Sequence, residues 1–151
     1  MGTRLIQPPK RRFLSLDQQA ARLRALFPGF KIRLSGGPLE ARGHLHPAPA
    51  CAIYEVRIEY RWGHPPRVFV ISPMLVCNRE GEAPPHRFSS PGNPLCLYYG
   101  KDNEWSAHSY IAETIVPWTC EYLLFYELWQ ASGIWWGGGV DHLPKEGEDN
   151  V

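Results

Sequence analysis

Polar and apolar positions follow two rhythms along this chain. The first is helical. Leu16, Ala20, Leu23, Leu26 and Phe27 recur every three or four residues, so they fall on one face of a helix. Ser15-Leu16-Asp17-Gln18 just ahead of them has the form of a capping box, in which the serine hydroxyl takes a free backbone N–H and Gln18 reaches back. Pro28-Gly29 stops the helix. The second rhythm has period two. Residues 30–34 place Phe30, Ile32 and Leu34 on one side. Residues 52–62 turn Tyr54, Val56, Ile58 and Tyr60 one way and Ile53, Glu55, Arg57 and Glu59 the other. Residues 67–71 (RVFVI) are nearly all apolar, as in a strand covered on both faces. Residues 38–46 hold a weaker strand. With tight turns between them, these segments predict an antiparallel meander of about four strands.

Both rhythms vanish over residues 72–94, which contain Pro73, Pro84, Pro85, Pro91, Pro94, Gly81 and Gly92. A long irregular stretch in a small domain is either functional or disordered. Its apolar residues Met74, Leu75, Val76 and Phe88, and the abrupt return to Leu95-Cys96-Leu97-Tyr98-Tyr99, predict a packed, functional loop. Helical spacing resumes over residues 106–132, with Ser106 as the expected N-cap. Ile111, Ile115, Trp118, Tyr122, Phe125, Tyr126 and Trp129 share one broad apolar face. Pro117 has no N–H for the ladder, so it must kink this helix or begin a second one. Gly133 ends it. The expected fold class is α+β: an N-terminal helix, the meander, the loop, then C-terminal helices.

Length and charge narrow the class. The 151 residues suit a single domain spanning the whole chain, with residues 1–13 as an N-terminal arm and residues 143–151 as a frayed tail. Hydrophobic residues form 44% of the chain, enough for a core. A net charge of +1 lacks the basic excess of a nucleic-acid or membrane-surface binder. Lys10-Arg11-Arg12 reads as a solvated lead-in rather than a docking patch for an acidic partner. There is no run of about 18 apolar residues and no secretory h-region. Cys51, Cys77, Cys96 and Cys120 include no CxxC pair and are expected as reduced thiols in the cytoplasm.

Cys96 stands out among the thiols. A working cysteine needs access and help in ionising, and Cys96 lies where the long loop hands over to a short apolar segment. Cys120 lies mid-helix among aromatics and Cys51 enters the strongest strand, so both are expected as small core residues. Cys77 is also on the loop and stays a candidate. A zinc site from Cys77, His86 and Cys96 would lack the close ligand pair that structural zinc uses, and no metal or cofactor is expected. Asp141-His142 is either an acid/base pair or a tie between the glycine-rich tail and the body. Residues 137–139 (GGG) read as a turn, since no phosphate-binding glycine pattern is present. Trp118, Tyr122 and Trp129 are expected in the core, and one of Trp135 and Trp136 is expected at a partner surface.

The segment around Cys96 resembles the ubiquitin-conjugating (UBC-like) family. Members have a strand, a proline-rich loop, a His-Pro-Asn motif and then the catalytic Cys followed by Leu. Here His86 stands ten residues before Cys96-Leu97. Residues 60–66 (YRWGHPP) resemble the family's turn before a strand, and Trp105 falls where members keep a Trp before the crossover helix. One departure is that His-Pro-Asn reads His86-Arg87-Phe88. The family's Asn is missing, and with it a donor for the oxyanion of lysine attack; His86, Asn93 or a backbone N–H is left to take that role. The stretches HRFSSPGNPLCLYY and YELWQASGIWWGGGVDH are similar to the bacterial UBC-like proteins of CBASS anti-phage operons. That resemblance implies a thioester on Cys96, with His86 as its catalytic partner; Asn93 and Trp105, and from the reading of the residues Cys77 and His142, are the supporting candidates. It implies as acyl donor the C-terminus of a partner protein, a cyclic-oligonucleotide synthase, and an amine as acceptor. The chain has no ATP-binding glycine loop, so the carboxylate is activated by a separate enzyme or activation is bypassed. The competing expectation is an inactive UBC-like module that docks a partner's tail.

Overall fold

A computed structural model describes residues 12–97 and 105–137. The arm up to Arg11, Tyr98-Tyr99, residues 138–139, Asp141-His142 and the tail lie outside the described residues. Helix α1 (Leu16–Leu26) opens on the expected capping box: the Ser15 hydroxyl accepts from the Gln18 N–H at 3.1 Å, and the Gln18 side chain accepts from the Ser15 N–H at 2.9 Å. Ala20 and Leu23 are buried, and Leu16 and Phe27 pack against the core. Leu26, expected on the same face, is 44% exposed, because the helix ends there and its last turn passes the edge of the sheet-facing stripe.

Four strands follow: β1 (Lys31–Leu34), β2 (Leu39–Leu45), β3 (Tyr54–Tyr60) and β4 (Arg67–Ser72). They pair in chain order as one antiparallel meander, with Leu39 opposite Tyr60 and Ile58 opposite Val68. Tyr54, Val56, Ile58 and Tyr60 are buried on the inner face, as the alternation predicts. The outer face is bound by ion pairs, Arg42 to Glu55 and Arg57 to Glu59. Phe69, on β4, is nevertheless buried there. The Arg57 guanidinium lies 4.7 Å from its ring centroid, and Gly92 of the long loop comes close enough that a β-carbon would sit 3.0 Å from the ring. Thus β4 is covered on both faces where it reads as continuously apolar.

The C-terminal part differs from expectation in one respect. A single helix, α2 (Ile115–Ser132), follows a one-turn 3-10 segment (Ile111–Glu113). Its N-cap position is Thr114, not Ser106. The Ser106 hydroxyl instead accepts from the His108 N–H and closes a local turn. Pro117 sits in the first turn of α2, where the backbone N–H groups have no helical partner, so it begins the helix rather than kinking it. Gly133 ends α2 in the left-handed conformation, φ 76°. Ile115, Val116, Tyr122, Leu123, Tyr126 and Trp129 close the core over the sheet, and Trp118 packs at its margin.

Gln19 locks the two helical parts together. It is fully buried. Its Nε2 donates to the Ser109 carbonyl and its Oε1 accepts from the Ile111 N–H, each at 2.9 Å. The polar side chain thereby supplies the backbone groups that the 3-10 turn leaves without partners.

Candidate active site

The long loop is irregular but tethered. The Tyr126 hydroxyl accepts from the Val76 N–H at 3.0 Å, and Gln130 Nε2 donates to the Val76 carbonyl at 2.7 Å, so α2 holds the loop's first half. Asn78 folds the next turn by accepting from the Glu80 and Glu82 N–H groups. Leu75 packs on the core, whereas Met74 and Val76 point outward, at 76% and 58% exposed.

The second half is a tight hairpin. Arg87 pairs with Leu95 in an antiparallel bridge. The Cys96 N–H donates to the His86 carbonyl at 2.7 Å and the Phe88 N–H to the Pro94 carbonyl at 2.8 Å. This gives the ten-residue spacing of His86 and Cys96 a physical reason. In an antiparallel ladder a residue one step outside a bridge faces the residue one step outside on the other strand. With Arg87 opposite Leu95, His86 is opposite Cys96. Gly92 and Asn93, at φ 82° and 46°, make the tip. Asn93 donates its backbone N–H to the Ser90 carbonyl and its side-chain amide to the Phe88 carbonyl. It therefore holds the shape of the loop. Leu95 joins the hairpin to the sheet by donating to the Val68 carbonyl on the open edge of β4.

His86 is itself unusual. It is buried, and its φ of 56° lies in the left-handed region, where histidine is one of the few side chains found with any frequency. The Tyr122 hydroxyl donates to the Pro85 carbonyl at 2.6 Å, fixing the residue before it. The Trp135 ring lies 5.1 Å from the imidazole and also 5.1 Å from the Tyr122 ring. Spacing along the chain gave Tyr122 only as core, and Trp135 only as a core-or-surface ambiguity. Tyr122 reaches the His86 segment from α2, and Trp135 reaches it only because the chain folds back after Gly133. Trp136 is the outward one, at 64% exposed.

Cys96 is 2% exposed, which corrects the expectation of an accessible thiol: its flanking Leu95 and Leu97 belong to the core and carry it inward. Cys51 does not enter a strand. It lies in a turn before β3 and is half-buried, and burial pushes its thiol pKa up, with Glu127 adding to the effect. Burial likewise raises Cys120 in α2. Neither is helped to ionise. Cys77 is exposed and lies outside the hairpin, where its carbonyl accepts from Gln130. The four cysteines are not joined in disulfides, and among the described residues no three His, Cys, Asp or Glu side chains stand close enough to hold a metal ion.

Trp105 works at a different joint. Its Nε1 donates to Thr114 Oγ1 at 3.0 Å, at the start of α2, and its ring meets Tyr60 edge-on at 5.1 Å. With Phe88, His64 and Pro65 it borders a cavity of about 470 Å³. His142 lies outside the described residues. A family model for type II CBASS E2 proteins matches residues 19–143, most of the chain.

The chain belongs to this family.

CBASS E2 proteins are UBC-like proteins of bacterial anti-phage defence, and the helix–meander–loop–helix order here is that fold. Membership brings a conjugating type of activity and protein partners from the same operon. The match takes in α1 from Gln19 onward, the sheet, the hairpin and α2. No curated protein matches the sequence. No helix among the described residues of this CBASS E2 protein is long and apolar enough to cross a membrane.

Proposed function

We propose that Cys96 carries the C-terminal acyl group of a partner protein as a thioester and passes it to an amine. The observation that supports this most is the hairpin register, which sets Cys96 opposite His86 and ties their backbones at 2.7 Å. A nucleophile in such a frame keeps its position while the partner's tail is exchanged. The Cys96 thiolate attacks the carbonyl carbon of an activated carboxyl group, and the activating group departs with the electron pair. An amine nitrogen then attacks the thioester carbonyl, the C–S bond breaks, the thiolate is regenerated and the ammonium loses a proton to water or to a nearby base. The donor is the tail of the cyclic-oligonucleotide synthase of the operon, and its carboxylate is activated by a separate enzyme.

His86-Arg87-Phe88 departs from His-Pro-Asn in a way that bears on the second step. Phe88 offers no amide, and the Asn93 amide already donates to the Phe88 carbonyl. The oxyanion is therefore left to backbone N–H groups or to His86. This suits one dedicated partner better than general lysine-directed transfer.

A second reading, a docking module without chemistry, draws on the burial of Cys96 and the missing Asn. One experiment separates the two. The protein is incubated with the synthase, its activating enzyme and ATP, and a reductant-sensitive adduct is sought by intact mass. Wild type gives a thioester adduct, Cys96→Ser gives a more stable ester or none, and Cys77→Ala leaves the adduct unchanged. Absence of adduct in wild type, together with undiminished phage protection by Cys96→Ala, would refute the carrier reading. Loss of the adduct in Cys77→Ala instead of Cys96→Ala would assign the chemistry to the other thiol.

A further inference from the structure

Cys96 is nearly inaccessible, yet the proposed reaction brings a protein tail to its sulfur, so something must move first. The segment that follows α2 has the attributes of a movable cover. It turns sharply at Gly133, whose φ of 76° suits a pivot. Ile134 and Trp136 are exposed, at 51% and 64%. Of the side chains in residues 133–137, that of Trp135 is the one packed against the core. The Trp135 ring is inserted among His86 at 5.1 Å, Tyr122 at 5.1 Å and Phe125 at 6.0 Å. The fit is close: a β-carbon on Gly137 would lie 2.7 Å from the Phe125 ring and 3.0 Å from Trp135 Nε1. The one side chain that anchors this strap therefore rests on the histidine that stands opposite Cys96.

We infer that residues 133–137 form a strap, latched by Trp135 on His86, that keeps the hairpin shut over Cys96 and must lift before the thiol can be loaded. Trp135 is a positioning residue in this scheme. It acts through His86, whose carbonyl is bonded to the Cys96 N–H. A ring held by a few aromatic contacts is suited to this, because such contacts are individually weak and can be exchanged for those of an arriving partner. The inference rests on the carrier reading for its purpose but not for its test, which measures thiol access alone.

The four thiols supply internal references. The full chain is treated with a maleimide, and labelling at each cysteine is followed by peptide mass spectrometry, with melting temperature measured alongside. In wild type, exposed Cys77 labels fast and Cys96 slowly. Trp135→Ala is expected to speed labelling of Cys96 by about ten- to a hundredfold, the factor that losing the contacts with the Tyr122 and Phe125 rings would give, while Cys77 and Cys120 keep their rates. Trp135→Phe, which retains a ring, restores slow labelling, and Trp136→Ala leaves it unchanged. Three results would each overturn the inference: Cys96 labelling as fast as Cys77 in wild type, no acceleration in Trp135→Ala, or equal acceleration of Cys96 and Cys120, which would make the protection a property of the whole core. A failure of the carrier reading shows differently, as absence of adduct with the synthase while the labelling pattern stays as described.

Discussion

Replacing Gln19 tests how the helical half of the molecule is joined. Its two hydrogen bonds, each 2.9 Å, satisfy the Ser109 carbonyl and the Ile111 N–H from a position with no solvent exposure. Gln19→Ala removes both partners at once. A buried backbone group left without a partner costs about 1–3 kcal/mol, so the pair predicts a loss of about 2–6 kcal/mol, a large share of the ~5–15 kcal/mol of a typical domain. Gln19→Glu sharpens the test because its effect depends on pH. Burial opposes ionisation, and one carboxyl oxygen must face the Ser109 carbonyl. The folded-state pKa of the new Glu is thus raised above the ~4.3 of the unfolded chain. Below about pH 4.3 both states are neutral, and the acid donates to Ser109 and accepts from Ile111 much as the amide does. Above that value the unfolded state releases its proton more readily, so stability relative to wild type falls as pH rises. Urea denaturation of wild type, Gln19→Ala and Gln19→Glu at pH 4 and pH 7.5 measures this. A loss below about 1 kcal/mol for Gln19→Ala, or a Gln19→Glu penalty that does not grow with pH, would refute the joint.

Three further outcomes follow from the same geometry. Tyr122→Phe removes the donor to the Pro85 carbonyl and should cost about 1 kcal/mol, with faster hydrogen exchange at the Cys96 amide as the local sign of a loosened hairpin. Gly43→Ala would place a β-carbon 2.0 Å from the Phe30 ring and should destabilise by about 1–3 kcal/mol in urea titrations. Adding Phe30→Leu should recover part of that loss, so the two changes will not add. Tyr54 donates to Glu127, and burial followed by that carboxylate pushes its pKa well above the usual tyrosine value. The unfolded state therefore gives up the phenolic proton first, and folding stability should decline once pH rises past about 10. Tyr54→Phe should flatten that decline in denaturation followed across alkaline pH.

Much of this architecture can be read along the chain, for local reasons. The Ser15–Gln18 box, the alternation of residues 54–60, the positive φ at Gly133 and the apolar face of α2 depend on neighbours within a few residues. The hairpin was legible only as a spacing, because its meaning lies in the register that Arg87 and Leu95 set. What could not be read is the set of long-range ties. Gln19 bonds residues ninety or more positions away, Tyr122 reaches Pro85, and Trp135 meets His86 only because the chain folds back after Gly133. The burial of Cys96 belongs with these. An apolar pair such as Leu95 and Leu97 around a cysteine tells of a core, but a loop position tells of a surface, and only the packing decides between them. Ser106 misled for the opposite reason: a serine that can cap a helix can equally close a turn.

The bond from Leu95 to Val68 has an evolutionary consequence. It fastens the hairpin to the border of the sheet, so the position of the thiol is set by β4 and by the short Pro85-His86 segment, and not by the exposed turn further back. Residues 79–83, at the exposed Glu80-Gly81 turn, can then lengthen, shorten or drift in composition as partners change without displacing Cys96. Within a defence family under pressure to diversify, that separates the part of the surface free to vary from the few backbone atoms that must stay where they are.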